Sequence, residues 1–336
     1  MTTTLTTDWK QLHSSAFSQG KALVTGGAGF IGSHLTEALL TLGASVVVMD
    51  DLSGSSIDNL TPLLARFPDK LRFEQGSILD PSLLASAATG AQWVFHQAAL
   101  GSVPRSVEQP ELYTRVNVLG TLNVLQAARA AGAKRVMFAA SSSAYGESPT
   151  LPKIEHMPTL SKSPYAATKV AGEALLSAYA GSYGLDTVSL RYFNIFGPRQ
   201  NANSAYAAVI ASFAKALLAG QRPVIFGDGS QSRDFTFVHN AVHANLLAAR
   251  SAAPLNGDVI NVACGSSVTV SQLAQQMAQL LGKPDLTAEH KPQRAGDVKH
   301  SLADLSRAKQ RLGYAPIVGF DQGLQATTFW YRDSLS

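Results

Sequence analysis

The stretch Lys21–Gly32 reads KALVTGGAGFIG. A short apolar run, Lys21–Thr25, ends in glycines, and apolar residues then recur at helical spacing from Ile31 to Leu42. This pattern predicts a buried strand, a tight turn and a helix. Two glycine spacings overlap in the turn. Gly27, Gly29 and Gly32 form GxGxxG, whereas Gly26, Gly29 and Gly32 form GxxGxxG. In either, glycine permits the tight turn, lets backbone approach a pyrophosphate and lets helix pack on strand. The helix N-terminus then offers free N–H groups to phosphates. Placement between strand and helix is what gives a glycine cluster its specificity.

Outward from this turn, Ser45–Met49 is a second buried strand, and it ends in Asp50, 18 residues beyond Gly32. A carboxylate there accepts from adenosine ribose hydroxyls and repels a 2′-phosphate, so NAD is expected rather than NADP. Asp51 adds a second negative charge. Further strands are expected at Leu71–Glu74, Trp93–Phe95, Val136–Ala140 and Thr187–Leu190, with helices between them, notably Val116–Ala131 and Pro164–Tyr183. Alternating strands and helices imply an α/β, Rossmann-like, doubly wound parallel sheet. Beyond residue 191 prolines punctuate shorter elements. The expected organisation is an N-terminal extension (1–20), an NAD-binding domain (21–191) and a smaller C-terminal α/β substrate domain (192–336), interleaved with the first.

Composition narrows the function. With 46% hydrophobic and 15% charged residues among 336, the chain can bury a sizeable core and is not disordered. The surplus of four positive charges contains no basic block of five or more, which argues against nucleic acid and for a few arginines serving one small anion. The single cysteine, Cys264, excludes a Cys-rich zinc framework, and no metal site is expected. No apolar run approaches the ~18 residues of a membrane span. Residues 1–20 are polar and Thr/Ser-rich, without the apolar stretch of a secretory signal, so a cytoplasmic protein is expected.

Tyr165 and Lys169 lie four apart after Pro164, which suits the first turn of a helix. They share a helical face, so the ammonium stands near the phenol. Lysine and an oxidised nicotinamide would both favour phenolate, a general base usable near neutral pH. Ser141, Ser142 and Ser143 follow the Val136–Ala140 strand, where open parallel sheets bind ligands. A serine hydroxyl there can hold a sugar hydroxyl beside the base.

With these residues in hand, the chain resembles the extended short-chain dehydrogenase/reductases that act on nucleotide sugars, and among them most closely the bacterial UDP-N-acetylglucosamine 4-epimerases. The resemblance runs from about Lys21 to Tyr331. It is carried by the glycine loop, His96–Ser106 (HQAALGSVPRS), Ala139–Gly146, the Tyr165/Lys169 pair, Arg191–Asn194 (RYFN), Ser204–Val209, Gly227–Phe235 and Arg294–Ser301 (RAGDVKHS). It implies Ser141 as catalytic serine, Tyr165 as base and Lys169 as its modulator. It implies NAD contacts from Gly26, Gly29, Phe30, Ile31, Gly32, Asp50, Ser53, Gly54, Ser77, Ile78, Gln97, Ala98, Ala99, Asn117, Ala139, Tyr165, Lys169 and Phe193. Ser102, Ser142 and Ser143 would line the sugar pocket. Asn194, Ala208, Val209, Arg233, Arg294 and Asp297 would hold UDP, with Phe226 near the uracil. Guanidiniums at 233 and 294 independently suit a diphosphate; the alternative is surface pairing with Asp234 and Asp297. A homodimer built from the 116–131 and 164–183 helices is also implied.

The sequence departs from the family's pattern at two places. Ser77 stands where an adenine-binding Asp is common, and Asp51 where Asn is common. The acidic pair that sugar-nucleotide dehydratases and decarboxylases use is absent, with Ser143 in its place. The resemblance implies that Ser301 walls the pocket beside the sugar's C2 substituent, where a small side chain would admit an N-acetyl group. The expected reaction is therefore reversible C4 epimerisation of UDP-GlcNAc/UDP-GalNAc, with UDP-glucose/UDP-galactose fitting less well. The rival readings are a UDP-glucuronate 4-epimerase and a non-catalytic NAD-binding regulatory protein; the intact Ser141/Tyr165/Lys169 set argues against the second.

Overall fold

A computed structural model describes residues 5–201, 209–292 and 299–335. Seven strands form its main sheet: β1 Lys21–Thr25, β2 Ser45–Asp50, β3 Leu71–Gln75, β4 Trp93–His96, β5 Arg135–Ser141, β6 Thr187–Tyr192 and β7 Asp258–Val262. Their order is β7-β6-β5-β4-β1-β2-β3, and every neighbouring pair is parallel. Strand order reverses at β1, which pairs with β2 on one side and β4 on the other. The C-terminal ends of β1 and β4 thus flank the switch point where such sheets bind ligands.

The helices used below are α1 Trp9–His13, α2 Phe30–Thr41, α3 Pro81–Ala88, α4 Val103–Glu108, α5 Gly120–Ala130, α6 Pro164–Tyr183, α7 Val209–Leu218, α8 Val238–Arg250, α9 Val270–Leu280 and α10 Phe320–Leu335. Successive strand residues point to opposite faces, and the core divides accordingly. Val24, Val46, Val48 and Phe95 pack with Leu35 and Leu39 of α2 and with Leu246 of α8. Leu23, Val47 and Val94 pack on the other face with Leu84 of α3, Leu125 of α5 and Leu176 of α6. Both faces are covered, which is why these strands read as continuous apolar runs. A separate core joins Phe213 of α7, Leu273 of α9, Leu324 of α10 and Phe237. This is the smaller C-terminal unit, although β7 and α8, from beyond residue 191, complete the main sheet and its cover.

Two elements differ from their sequence reading. The expected 116–131 helix begins as a π turn, Arg115–Leu119, before α5. At its junction Gly120 lies so close to Ile78 that a Cβ would stand 2.4 Å from Ile78 Cδ1. The N-terminal extension is not a polar tail. Asp8 caps α1 by accepting from Gln11 N at 3.0 Å, and Trp9, His13 and Phe17 are buried. Phe17 packs edge-on against Trp93, with ring centroids 5.0 Å apart. His13 Nε2 bonds His243 Nδ1 at 3.0 Å, and Thr7 Oγ1 bonds His239 Nδ1 at 2.7 Å. Residues 5–20 therefore add to the core on the α8 side of the sheet.

Candidate active site at the strand ends

A cavity of about 1460 Å³ opens at the carboxyl ends of the strands, between the main sheet and the smaller unit. The glycine turn forms one end. Gly26 has φ +70°, and a Cβ on it would stand 2.6 Å from Ala98 N; one on Gly32 would stand 2.2 Å from Gly26 O. Gly26, Gly29 and Gly32 line the cavity, while Gly27 is packed against Val48 in the core. The GxxGxxG spacing is thus the one that faces the cavity. Gly29 is the N-cap of α2 without a side-chain cap, so first-turn N–H groups around Phe30 and Ile31 are left for an external acceptor. Backbone this close, with no room for a Cβ, is the cradle a pyrophosphate needs, and these residues fit NAD.

Asp50, 8% exposed, accepts from Ala28 N at 3.0 Å, Leu52 N at 2.9 Å and Ser55 Oγ at 2.8 Å. A carboxylate has about four acceptor sites, so it fixes the glycine turn and keeps capacity for a ribose hydroxyl. Ser53, Gly54, Ile78, Gln97, Ala98, Ala99, Ala139 and Phe193 also line the cavity. Ser77 and Asn117 do not. The Ser77 hydroxyl turns to its own loop and accepts from Leu79 N at 3.3 Å. Asn117 is a buried brace: it accepts from Leu100 N at 2.9 Å and donates to Leu100 O at 3.1 Å and Thr168 Oγ1 at 3.0 Å.

The catalytic candidates converge from two elements. Ser141 ends β5, and its Oγ accepts from Ser143 Oγ at 2.8 Å and Ser143 N at 3.2 Å. Ser163 caps α6 by accepting from Ala166 N at 3.2 Å, and Pro164 opens its first turn. That start aims Tyr165 into the cavity beside Ser141. One turn on, buried Lys169 donates to Ala139 O at 2.8 Å and lies 4.9 Å over the Phe138 ring and 6.0 Å from the Tyr165 ring centroid. Burial brings the Lys169 ammonium down to about 7, with Glu173 opposing the shift. The same burial acts on Tyr165. Burial raises its phenol above the ordinary value, opposed by the hydrogen bond with Ser141, and Tyr113 raises it further.

At the far end, Ser142, Ser143, Asn194, Arg233 and Ser301 line the cavity. Asn194 Nδ2 donates to Ser301 Oγ and to Asp234 O, each at 3.1 Å. Arg233 donates to Ser232 O at 2.9 Å and Lys299 O at 3.1 Å. Asp234 is not its surface partner. Its buried carboxylate accepts from the backbone N–H groups of Cys264, Gly265 and Ala303 at 3.0–3.2 Å, and burial raises it to about 6. Ser102 is an N-cap, accepting from Arg105 N at 3.2 Å, and does not line the cavity. Val209 and Phe226 also stand outside the cavity lining. Ala208, Arg294 and Asp297 lie outside the described residues.

Tyr145, Lys153 and His300 are among the lining residues to which sequence reasoning gave no role. Tyr145 follows Ser141 within one 3₁₀ turn, a signal visible in the sequence. Lys153 sits in a loop, where no periodicity points inward. Its amine donates to Ser148 O and, at 2.9 Å, to Thr150 O.

Comparison with known proteins agrees with this geometry. Residues 22–263 match the NAD dependent epimerase/dehydratase family. A UDP-glucose 4-epimerase of Mycolicibacterium smegmatis is 41% identical over 315 residues, covering 93% of this chain and 99% of that one. Among solved structures, a UDP-N-acetylglucosamine 4-epimerase from Methanobrevibacter ruminantium M1, in complex with UDP-N-acetylmuramic acid, is 40% identical with TM-score 0.88, covering 94% of this chain and 99% of that one. A Thermotoga maritima UDP-glucose 4-epimerase with UDP-glucose is 36% identical with TM-score 0.88, covering 94% and 100%. Seven parallel strands, a glycine cradle at the switch point and the Ser141/Tyr165/Lys169 cluster thus belong to an extended short-chain dehydrogenase/reductase, and the chain is a member of the NAD dependent epimerase/dehydratase family.

Proposed function

We propose that this NAD-dependent epimerase interconverts UDP-GlcNAc and UDP-GalNAc at C4, and UDP-glucose and UDP-galactose less well. The observation that carries the substrate choice is the cavity wall at Ser301. Its hydroxyl accepts from Asn194 and its small side chain lines the cavity, which supports a pocket that takes an N-acetyl group. The Methanobrevibacter relative, with UDP-N-acetylmuramic acid bound, supports a cavity of this family that admits substituted amino sugars. A uronate would call for a free cation near C6. Beside Ser141 the cavity wall offers the hydroxyls of Ser142 and Ser143, which favours a neutral sugar.

The chain's residues divide the work. Gly26, Gly29, Gly32 and the first turn of α2 would hold the NAD pyrophosphate, and Asp50 its ribose. NAD, when bound, supplies the acceptor and donor of the C4 hydride. Tyr165 takes the proton of the 4-hydroxyl and later returns it to the same oxygen, once the turned 4-keto sugar presents its other face to the cofactor. Ser141 aligns that hydroxyl. Lys169 and the positive nicotinamide oppose the burial that keeps Tyr165 a phenol. Arg233 and Asn194, with Arg294 and Asp297, anchor UDP, so the ketone can turn about its diphosphate bond without leaving. Remote binding energy from UDP thereby positions the reacting carbon. Two copies pair through α5 and α6; exposed Leu119 and Tyr183 near this face support that reading.

The test is separate incubation with UDP-GlcNAc, UDP-glucose and UDP-glucuronate, without added cofactor, followed by separation of the products. Epimerisation of UDP-GlcNAc ahead of UDP-glucose, with UDP-glucuronate unchanged, is expected. Preference for UDP-glucuronate would overturn the assignment.

A further inference from the structure

Behind Lys169 lies a buried ion pair that the mechanism leaves unused. Glu173 stands one turn beyond Lys169 on α6, so Tyr165, Lys169 and Glu173 share one face of that helix. Both arms of Arg191, on β6, hold its carboxylate: Nε donates to Oε1 at 2.8 Å and Nη2 to Oε2 at 2.7 Å. The two side chains are 3% and 7% exposed, and neither residue lines the cavity. The other side of the pair is fixed as well. The Arg191 guanidinium lies 4.6 Å from the centroid of the Tyr145 ring, and Tyr145 OH donates to Asn261 Oδ1 at 2.6 Å.

A buried pair of this kind is weak evidence for stability, because apolar residues of similar volume often serve as well. Its position relative to Lys169 is more telling. The Lys169 ammonium is surrounded by groups that carry no negative charge: Ala139 O and the Phe138 ring from β5, the Tyr165 ring from its own helix, and His96 from β4, which burial and Lys169 bring down to about 3. Tyr113 faces the phenol from the segment after α4, and Glu155 acts on Tyr145. Among the described residues, Glu173 is the acidic group that acts on Lys169.

We propose that Glu173, clamped by Arg191, is a positioning residue that keeps Lys169 charged and thereby makes Tyr165 available as a base. The inference rests on Tyr165 being the base, and it reaches the substrate only through Lys169.

The experiment reads Tyr165 directly in NAD-loaded protein. Ultraviolet phenolate absorbance is titrated with pH for wild type minus Tyr165→Phe, and for Glu173→Gln minus Glu173→Gln/Tyr165→Phe. The Tyr165 midpoint is expected to rise by about half a pH unit or more in Glu173→Gln, and Glu173→Asp, which keeps the charge, should recover most of the shift. An unchanged midpoint overturns the proposal. Glu173→Gln strands the Arg191 charge, so Glu173→Gln/Arg191→Met, which removes both, is titrated too. A midpoint still raised there supports the proposal; a return to the wild-type midpoint would assign the shift to the stranded arginine and overturn it. In parallel, kcat at neutral pH should fall about threefold or more while KM holds, since Glu173 touches no ligand. If wild type epimerises no UDP-sugar, the functional reading falls, and the absorbance titration still decides this one.

Discussion

At Tyr165 burial favours the neutral phenol and the hydrogen bond with Ser141 opposes it, while Lys169, 6.0 Å from the ring centroid, and a bound oxidised nicotinamide would favour the phenolate. The sequence places Lys169 one turn away but says nothing of how dry the site is, which is why the direction of the shift was not legible there. Replacing Tyr165 by Phe should lower kcat by about 10³-fold and leave UDP-sugar binding within about twofold. Steady-state rates and equilibrium binding of UDP-GlcNAc check this, and near-native turnover would remove Tyr165 as base. Ser301 makes a second residue-scale prediction. Ser301→Tyr breaks the bond from Asn194, so every substrate should suffer. The informative quantity is the ratio of kcat/KM for UDP-GlcNAc to that for UDP-glucose, which should fall at least about tenfold, the scale of a 1.4 kcal/mol difference in fit. An unchanged ratio would show that position 301 does not set pocket size. Ser102, Ser77 and Asn117 mark the limit of residue-level reading. The family resemblance puts each at the cavity, but an N-cap, a loop bond and a helix brace claim their side chains.

Among the elements, β1, β2, α2 and α6 were legible because apolar runs, helical spacing and Pro164 each set a local preference that tertiary packing kept. The N-terminal extension was not. Its helix spans five residues, too short for periodicity, and its anchors are isolated: Trp9, His13 and Phe17. Packing against α8 makes it part of the fold, with a consequence for acid stability. Burial and the neighbouring cations hold His13 down to about 3 and His243 to about 4, below the ordinary 6.5. The fold therefore favours neutral imidazoles, and their bond needs one nitrogen to accept. This contribution is fully present above pH 6.5 and is lost as pH falls from there towards 3–4, because the unfolded chain takes up the protons first. His13→Gln should cost about 1 kcal/mol at pH 7.5 and should lose stability less steeply between pH 6.5 and 4.5 than wild type. Urea midpoints across that range check it; parallel curves for the two proteins would show that the His13–His243 contact does not titrate with folding.

For the whole molecule, the central sheet was legible because burial on both faces writes strands as continuous apolar runs. The interleaving was foreseen only in outline, since nothing in residues 258–262 announces that they will join β6 as the seventh strand. Asn194, Arg233 and Ser301, from beyond residue 191, line one cavity with Ser141 and Tyr165. On the proposed function, UDP would lie at one end of this cavity, the pyrophosphate cradle at the other and the base between, so that hydrogen would leave and return to C4 without exchange with solvent. Turnover of UDP-GlcNAc deuterated at C4, analysed by mass spectrometry of the separated products, tests this most directly. The account predicts UDP-GalNAc that keeps its deuterium at C4; inverted product whose label has exchanged for solvent hydrogen would contradict it.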